Sequence, residues 1–198
     1  MGGVPILSLI TFAPLVGALV VALIPSQQHR LIRLSAFGVS LVALGLSLVM
    51  LANLLGAPAS SEFSFGEQAS WISAFGITYH LGVDGLSAAL VVLTTLLSAI
   101  CIVASFAPIE HRVKEYFVSF LVLETGMIGV FLALDLFLFY IFWEIVLVPM
   151  YLIIGIWGGA DRIYATIKFV LYTLVGSLLM LVAILATAFS HQAATGSW

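Results

Sequence analysis

Charged residues are scarce in this sequence: only 8% of the residues are Asp, Glu, Lys or Arg, whereas 63% are hydrophobic. A soluble domain has roughly 45–50% apolar and about 25% charged residues. The composition therefore excludes a protein whose main solvent is water. The formal net charge of −3 comes from few groups, which argues against a broad charged surface for nucleic acid.

Cysteine is almost absent, and the common cofactor motifs are missing. The single cysteine, Cys101, excludes an internal disulfide and a CxxC or Cys/His metal cluster. The four histidines lie in loops or at span ends, so no pair could hold a haem inside a membrane. There is no GxxxxGK[ST] or GxGxxG loop for ATP or a dinucleotide. We therefore expect this chain to bind no metal and no cofactor.

Six apolar stretches are long enough to cross a bilayer, which takes about 20 residues each. Lipid offers no hydrogen-bond partner to the backbone, so each stretch must be helical. The sequence thus predicts an all-α, polytopic transmembrane helix bundle that forms one membrane domain over residues 1–198. The predicted spans lie near 4–24, 34–55, 86–106, 116–134, 136–157 and 167–189.

The basic residues predict the orientation of the bundle. All six fall between spans one and two, three and four, or five and six: Arg30, Arg33, Arg112, Lys114, Arg162 and Lys168. The positive-inside rule places these loops in the cytoplasm and both chain ends outside. The outer connections then carry only acidic charges, at Glu62, Glu67, Asp84 and Asp135.

The connector over residues 56–85 is the longest on the outer side and is rich in aromatic residues. Amphipathic rings favour the headgroup level, so we expect an interfacial belt here. A quinone or lipid site is the alternative, and no motif in the connector supports it specifically. The aromatic residues are Phe63, Phe65, Trp71, Phe75 and Tyr79.

Two carboxyl groups lie well inside predicted spans, Glu124 in span four and Glu144 in span five. A charge at mid-bilayer costs about 2.5–3.5 kcal/mol on insertion scales, so such residues usually face a protein interior or a water-filled path. At 1.5 Å per residue, the two carboxyls lie roughly 15 and 12 Å from the outer face. Both are candidates for proton transfer. Helix rotation decides whether they face each other, and the sequence does not fix it.

Two neighbouring features have two readings each. Pro149 frees the carbonyl of Ile145, which either marks a packing kink or exposes a carbonyl beside Glu144 to a water or an ion. Lys168 either snorkels to the inner interface or acts as an ionic partner on a proton path that it shares with Tyr172. The role of Glu124 also has two interpretations: it either transfers protons or only shares a hydrogen bond with Thr125.

Three segments resemble one family. They are LGVDGLS (81–87), LALDLFLFYIFWEIVLVPMYLIIGIWGG (132–159) and IKFVLYTLVGSLLMLVAI (167–184). They resemble subunit M of NADH:quinone oxidoreductase, the equivalent of mitochondrial subunit four, which is one of the antiporter-like proton-pumping subunits of respiratory complex I. The resemblance implies a fold of fourteen helices with two inverted repeats, of which this chain is expected to be a truncated N-terminal part. The family's central lysines, in helices seven, eight and twelve, would then lie beyond it.

The resemblance also implies a function. The subunit translocates protons coupled to electron transfer from NADH to quinone, and the family's essential glutamate falls on Glu144. Flavin, iron–sulfur clusters and quinone are expected in partner subunits. The expected location is a bacterial inner membrane rather than a mitochondrial one. Two other functions stay open: a subunit of a multi-subunit cation/proton antiporter, and a membrane scaffold that transports nothing and tolerates neutral substitution of Glu124 and Glu144.

Overall fold

A computed structural model describes residues 5–56, 63–72 and 75–196. Over these residues the chain forms six helices and a two-stranded antiparallel hairpin. The elements are α1 (Ile6–Leu23), α2 (His29–Gly56), β1 (Ser64–Ile72), β2 (Ile77–Val83), α3 (Gly85–Ala104), α4 (Val113–Leu132), α5 (Leu136–Trp157) and α6 (Arg162–Thr195).

The prediction of six long apolar helices is confirmed, and each of the six is long and apolar enough to cross a membrane. Two of them extend beyond the predicted limits: α2 begins at His29 rather than near residue 34, and α6 covers Arg162–Thr195 rather than 167–189. Hydropathy detects the part of a helix that suits the bilayer core. It does not detect the polar turns by which the same helix continues outside that core.

Helix α4 is the most deeply buried helix and α6 the least. Helix α4 packs against α1, α2, α3 and α5, while α6 packs mainly against α5. The apolar side chains of the bundle form two separate clusters. The outer cluster includes Met50, Val91 and Ile128, and the inner cluster includes Ala36, Ile102 and Leu121.

Basic side chains tie the inner ends of the helices together. The Lys114 ammonium donates to the carbonyls of Ala22 and Ile24 at 3.1 and 3.2 Å. These carbonyls lie at the C-terminal end of α1, where the last carbonyls of a helix have no N–H partner within the helix. The Arg33 guanidinium donates to the Ile109 carbonyl at 2.8 Å. Two of the basic residues that predicted the orientation therefore also stabilise this end of the bundle through hydrogen bonds to backbone carbonyls.

The hairpin was not predicted. The aromatic connector was interpreted as an interfacial loop, whereas most of it forms β1 and β2. The Glu67 carboxylate of β1 accepts hydrogen bonds from the Leu7 and Ser8 N–H groups at 2.7 and 3.1 Å. These are first-turn groups of α1 that have no partner within the helix. A carboxylate also suits the positive end of the helix dipole.

The structure corrects the predicted aromatic belt at one position. Phe63, Phe65, Trp71 and Phe75 are exposed, and their place at a membrane interface stays a prediction. Tyr79 instead turns inward, and its hydroxyl lies 2.6 Å from that of Ser8. Burial raises the pKa of Tyr79. Glu62, assigned to the outer loops above, lies outside the described residues.

The second strand is joined to the α4–α5 turn. The Leu134 N–H donates to the His80 carbonyl at 2.9 Å. Asp135 caps α5 through the N–H groups of Phe137 and Leu138, while its other oxygen accepts from the Thr78 N–H at 3.0 Å. The hairpin therefore connects the beginning of α1 to the beginning of α5, at the end of the bundle opposite the basic residues.

The segment LGVDGLS is the transition from β2 into α3. The Asp84 carboxylate accepts from the Ser87 N–H at 2.7 Å, and the Ser87 hydroxyl accepts from the Asp84 N–H at 2.9 Å. This reciprocal pair is a capping box, with serine in place of the usual Glu or Gln. The hydrogen bond from the Ser87 N–H lowers the pKa of Asp84.

The orientation predicts which loops reagents can reach. In intact cells, single cysteines placed at 30–33, 110–115 and 158–165 should resist a membrane-impermeant maleimide, because the basic residues keep these loops inside. A cysteine at the exposed Phe75 of the hairpin should react, which makes it the matched control, in a background with Cys101→Ala. Labelling of the 110–115 loop from outside would contradict the assignment.

Candidate proton-transfer site

Glu144 is positioned by a close contact between α4 and α5. Gly126 and Gly129 of α4 face α5, and a Cβ atom at Gly126 would lie 2.8 Å from Val146. A Cβ atom at Gly129 would overlap the Phe142 ring. Small residues at a helix–helix interface let two membrane helices approach closely. They set the rotation of α5, and with it the direction of Glu144.

The Glu144 side chain borders a cavity of about 490 Å³ that is lined by residues of α3, α4, α5 and α6. The walls are mostly apolar. The polar groups on them are Glu144 itself, the hydroxyls of Thr94, Thr173 and Ser177, and the Trp143 indole. The remaining lining residues are Leu123, Met127, Val130, Phe131, Val146, Leu147, Met150 and Phe169.

One carboxylate oxygen of Glu144, Oε1, is buried and has no hydrogen-bond partner within residues 5–56, 63–72 and 75–196. The Tyr140 hydroxyl lies beside both the Glu144 carboxyl and the Ser177 hydroxyl. Such a cavity has room for several water molecules, each of which needs polar partners of this kind. A carboxyl group that contacts water and neighbouring hydroxyl groups can take up and release a proton.

Glu124 faces another direction. Its side chain is 0% exposed, and its Oε1 accepts a hydrogen bond from the Ser40 hydroxyl of α2 at 3.1 Å. Glu124 is two residues from Gly126, or about 200° around the helix, so it points away from α5. The two carboxyls therefore do not face each other. Thr125 is not the partner of Glu124 either, since its hydroxyl donates to the Leu121 carbonyl.

Lys168 belongs to neither carboxyl. It is exposed on α6, and its ammonium lies 5.7 Å from the centre of the Tyr164 ring. Lys168 and Tyr172 share a shallow groove of α6 as the spacing predicts. The side of α6 that borders the Glu144 cavity instead presents Phe169, Thr173 and Ser177. Within the described ranges, then, Lys168 does not contact Glu144, and its role in proton transfer stays a prediction.

Sequence reasoning missed three polar neighbours of the two carboxyls. Tyr140 lies one helical turn before Glu144, so the i, i+4 spacing could have identified it. Ser40 and Ser177 gave no such signal, because each belongs to a different helix from its carboxyl. Only the packing of the helices brings these groups together.

Two family models together cover most of the chain. Residues 9–141 match the family described as NADH-ubiquinone oxidoreductase chain 4, amino terminus. Residues 133–195 match the family described as NADH:quinone oxidoreductase/Mrp antiporter, TM. The first match by itself covers more than half of the chain.

Individual relatives agree with these matches. NADH-quinone oxidoreductase subunit M of Rhodobacter capsulatus is 50% identical over 183 residues, which cover 91% of this chain and 35% of the relative. NADH-ubiquinone oxidoreductase chain 4 of Arabidopsis thaliana is 43% identical over 184 residues, which cover 92% of this chain and 37% of the relative. The chain thus spans about a third of the length of the curated relatives it matches.

Solved structures share the fold. A chain of respiratory complex I from Thermus thermophilus superposes with a TM-score of 0.77 at 29% identity, over 90% of this chain and 35% of that one. A chain of the Mrp complex from Dietzia superposes with a TM-score of 0.69 at 19% identity, over 88% of this chain and 19% of that one. The predicted antiporter-like helix bundle is confirmed. This chain is a multi-pass membrane protein that belongs to the NADH-ubiquinone oxidoreductase chain 4 family, the family of bacterial subunit M.

Proposed function

We propose that this chain belongs to a proton-translocating membrane subunit of an NADH:quinone oxidoreductase, in which Glu144 takes up and releases the transported proton. The observation that carries the proposal is that the Glu144 Oε1 is buried, has no partner among the described residues and lies at a cavity lined by four membrane helices. An apolar residue would pack there without the cost of inserting a carboxyl. A group that exchanges a proton accounts for that cost.

The neighbours of Glu144 extend this role. A proton that leaves the carboxyl can pass to water in the cavity, and the hydroxyls of Tyr140 and Ser177 can hold that water in place. The apolar wall keeps other charges away from the carboxyl. Electron transfer itself takes place in partner subunits that hold flavin, iron–sulfur clusters and quinone, and this chain carries no redox centre. The membrane is a bacterial inner membrane.

The second candidate function is a multi-subunit cation/proton antiporter, because the Mrp complex shares the fold. That likeness is at 19% identity, so it supports the fold alone. Identities of 43–50% to quinone oxidoreductase subunits favour the respiratory assignment. A scaffold that transports nothing would leave the unpartnered oxygen of Glu144 without an explanation.

Purification in mild detergent separates the two transport functions. A tag on the genomic copy of this gene should retrieve, from native membranes, partners with flavin and iron–sulfur absorbance and NADH-driven reduction of a soluble quinone. Vesicles of the same membranes should take up protons on addition of NADH. Recovery of the tagged protein without flavin or iron–sulfur partners, together with sodium/proton exchange that needs no NADH, would instead establish the antiporter.

A further inference from the structure

A belt of buried polar side chains separates the outer and inner apolar clusters. Between Ala36 and Met50, α2 contributes Ser40 and Ser47, which are both 0% exposed. Between Val91 and Ile102, α3 contributes Thr95 and Ser98, which are 0% and 2% exposed. Between Leu121 and Ile128, α4 contributes Glu124. Each of the three helices therefore carries at least one buried polar side chain between its residues of the outer cluster and its residues of the inner cluster.

In the upper part of the belt, which is the part next to the outer cluster, two hydroxyl groups form a direct hydrogen bond. The hydroxyls of Ser47 and Thr95 lie 2.9 Å apart, which also fixes the level of α2 relative to α3. The lower part begins with the hydrogen bond from Ser40 to Glu124 at 3.1 Å. Two buried side-chain atoms of the belt, the Ser98 Oγ and the Glu124 Oε2, have no hydrogen-bond partner among the described residues. Buried polar atoms in proteins rarely remain unpaired, and an ordered water is a common partner.

Helix geometry gives the length of the gap. Ser40 lies two turns below Ser47 on the same side of α2, about 10.5 Å along the axis. Ser98 follows Thr95 on α3, which runs in the opposite direction, so it lies about 4.5 Å below the Ser47 level. The axial separation that remains between Ser98 and the Ser40–Glu124 pair is about 6 Å, near the span of two successive hydrogen bonds through one water.

We infer that Glu124 and Ser98 enclose a buried water site, and that this hydrated carboxyl is a second proton-binding site separate from the Glu144 cavity. The ligand is water, which receives a hydrogen bond from one side and gives one to the other. With one Ser hydroxyl and one water as partners, the site suits a neutral carboxyl, because an ionised one that lacks a paired cation is costly to bury. The inference adds a second site to the proposed function, but the existence of the water does not depend on proton pumping.

Infrared spectroscopy of the full chain in lipid nanodiscs tests the site without electron transfer. We expect Glu124→Gln to remove one band of a protonated carboxyl. In the unsubstituted chain that band should move to lower wavenumber in D₂O, because water reaches the proton. Ser98→Ala should shift the band without removing it, since the structure gives Ser98 no direct hydrogen bond to Glu124.

Ser35→Ala is the matched control. Ser35 lies on α2, five residues before Ser40 and about 140° around the helix, so the band should not change. Glu124→Asp should keep a carboxyl band at a shifted position, which covers the case in which the Gln variant fails to insert. A band that responds neither to D₂O nor to Ser98→Ala would overturn the inference in favour of a dry hydrogen bond to Ser40. Loss of the band when sodium replaces choline at constant pH would overturn it in favour of a cation site. Absence of any carboxyl band from Glu124 would overturn it as well.

Discussion

Glu144→Gln should lower NADH-driven proton uptake by roughly 10²-fold or more, the low end of the contribution that a proton-transferring group makes. Glutamine keeps the shape of the side chain and can still bond to the Tyr140 hydroxyl, but it cannot exchange a proton. Electron transfer that is coupled to pumping should fall with it. Glu144→Asp keeps a titrating group and retracts it by one methylene, so it should retain part of the activity.

The measurement is quinone reduction by NADH together with proton uptake in membrane vesicles, with the content of assembled complex determined on native gels. Assembly should survive both substitutions, because a neutral amide is cheaper to bury than a charge. Glu115→Gln is the matched control, since Glu115 is an exposed carboxyl whose only described ion pair is with Arg112 at the surface. Full proton uptake by an assembled complex that carries Glu144→Gln would leave Glu144 with a structural role only.

Gly129→Leu should have the second large effect, on the packing of α4 against α5. Even the Cβ atom at this position would overlap the Phe142 ring, which is itself 3% exposed. Overpacking of a well-filled core costs typically about 1–3 kcal/mol, and the buried Phe142 ring would have to shift to admit the new side chain. We expect lower thermal stability in detergent and, in the assembled complex, less pumping per complex, because a displaced α5 carries Glu144 with it.

Gly45→Leu on α2 gives the comparison for this prediction. An added Cβ atom at Gly45 meets no atom of the described part of the chain within 4 Å, so the same substitution should leave the thermal midpoint of the chain close to that of the unsubstituted protein. Combining Gly129→Leu with Phe142→Ala should recover part of the stability, since neighbouring residues that share one contact do not act additively. Equal stability of the Gly129 and Gly45 variants would mean that the close approach at Gly129 does not limit packing.

The sequence predicted Glu144 and Glu124 as the notable side chains, but not their surroundings. A carboxyl inside an apolar run can be found from the sequence alone, because the free-energy cost of inserting it depends on its depth in the membrane. Its partners are not visible in this way. Ser40 is an ordinary helix serine until the packing of α2 brings it to Glu124. The hairpin was missed for a related reason: its pairing joins residues across a turn, and its acidic residue Glu67 acts on a helix 59–60 positions away.

The sequence by itself determined that the chain spans a membrane six times, that the spans are helical and that the basic loops share one side. Lipid imposes these features locally, since every backbone group must be satisfied within its own segment and each loop charge acts on its own crossing. Only the tertiary structure decided that Glu124 turns to α2 and Glu144 to the cavity beside α6. These helices are apolar on nearly every side, so polarity does not select a face, and the rotation follows from close contacts such as those at Gly126 and Gly129.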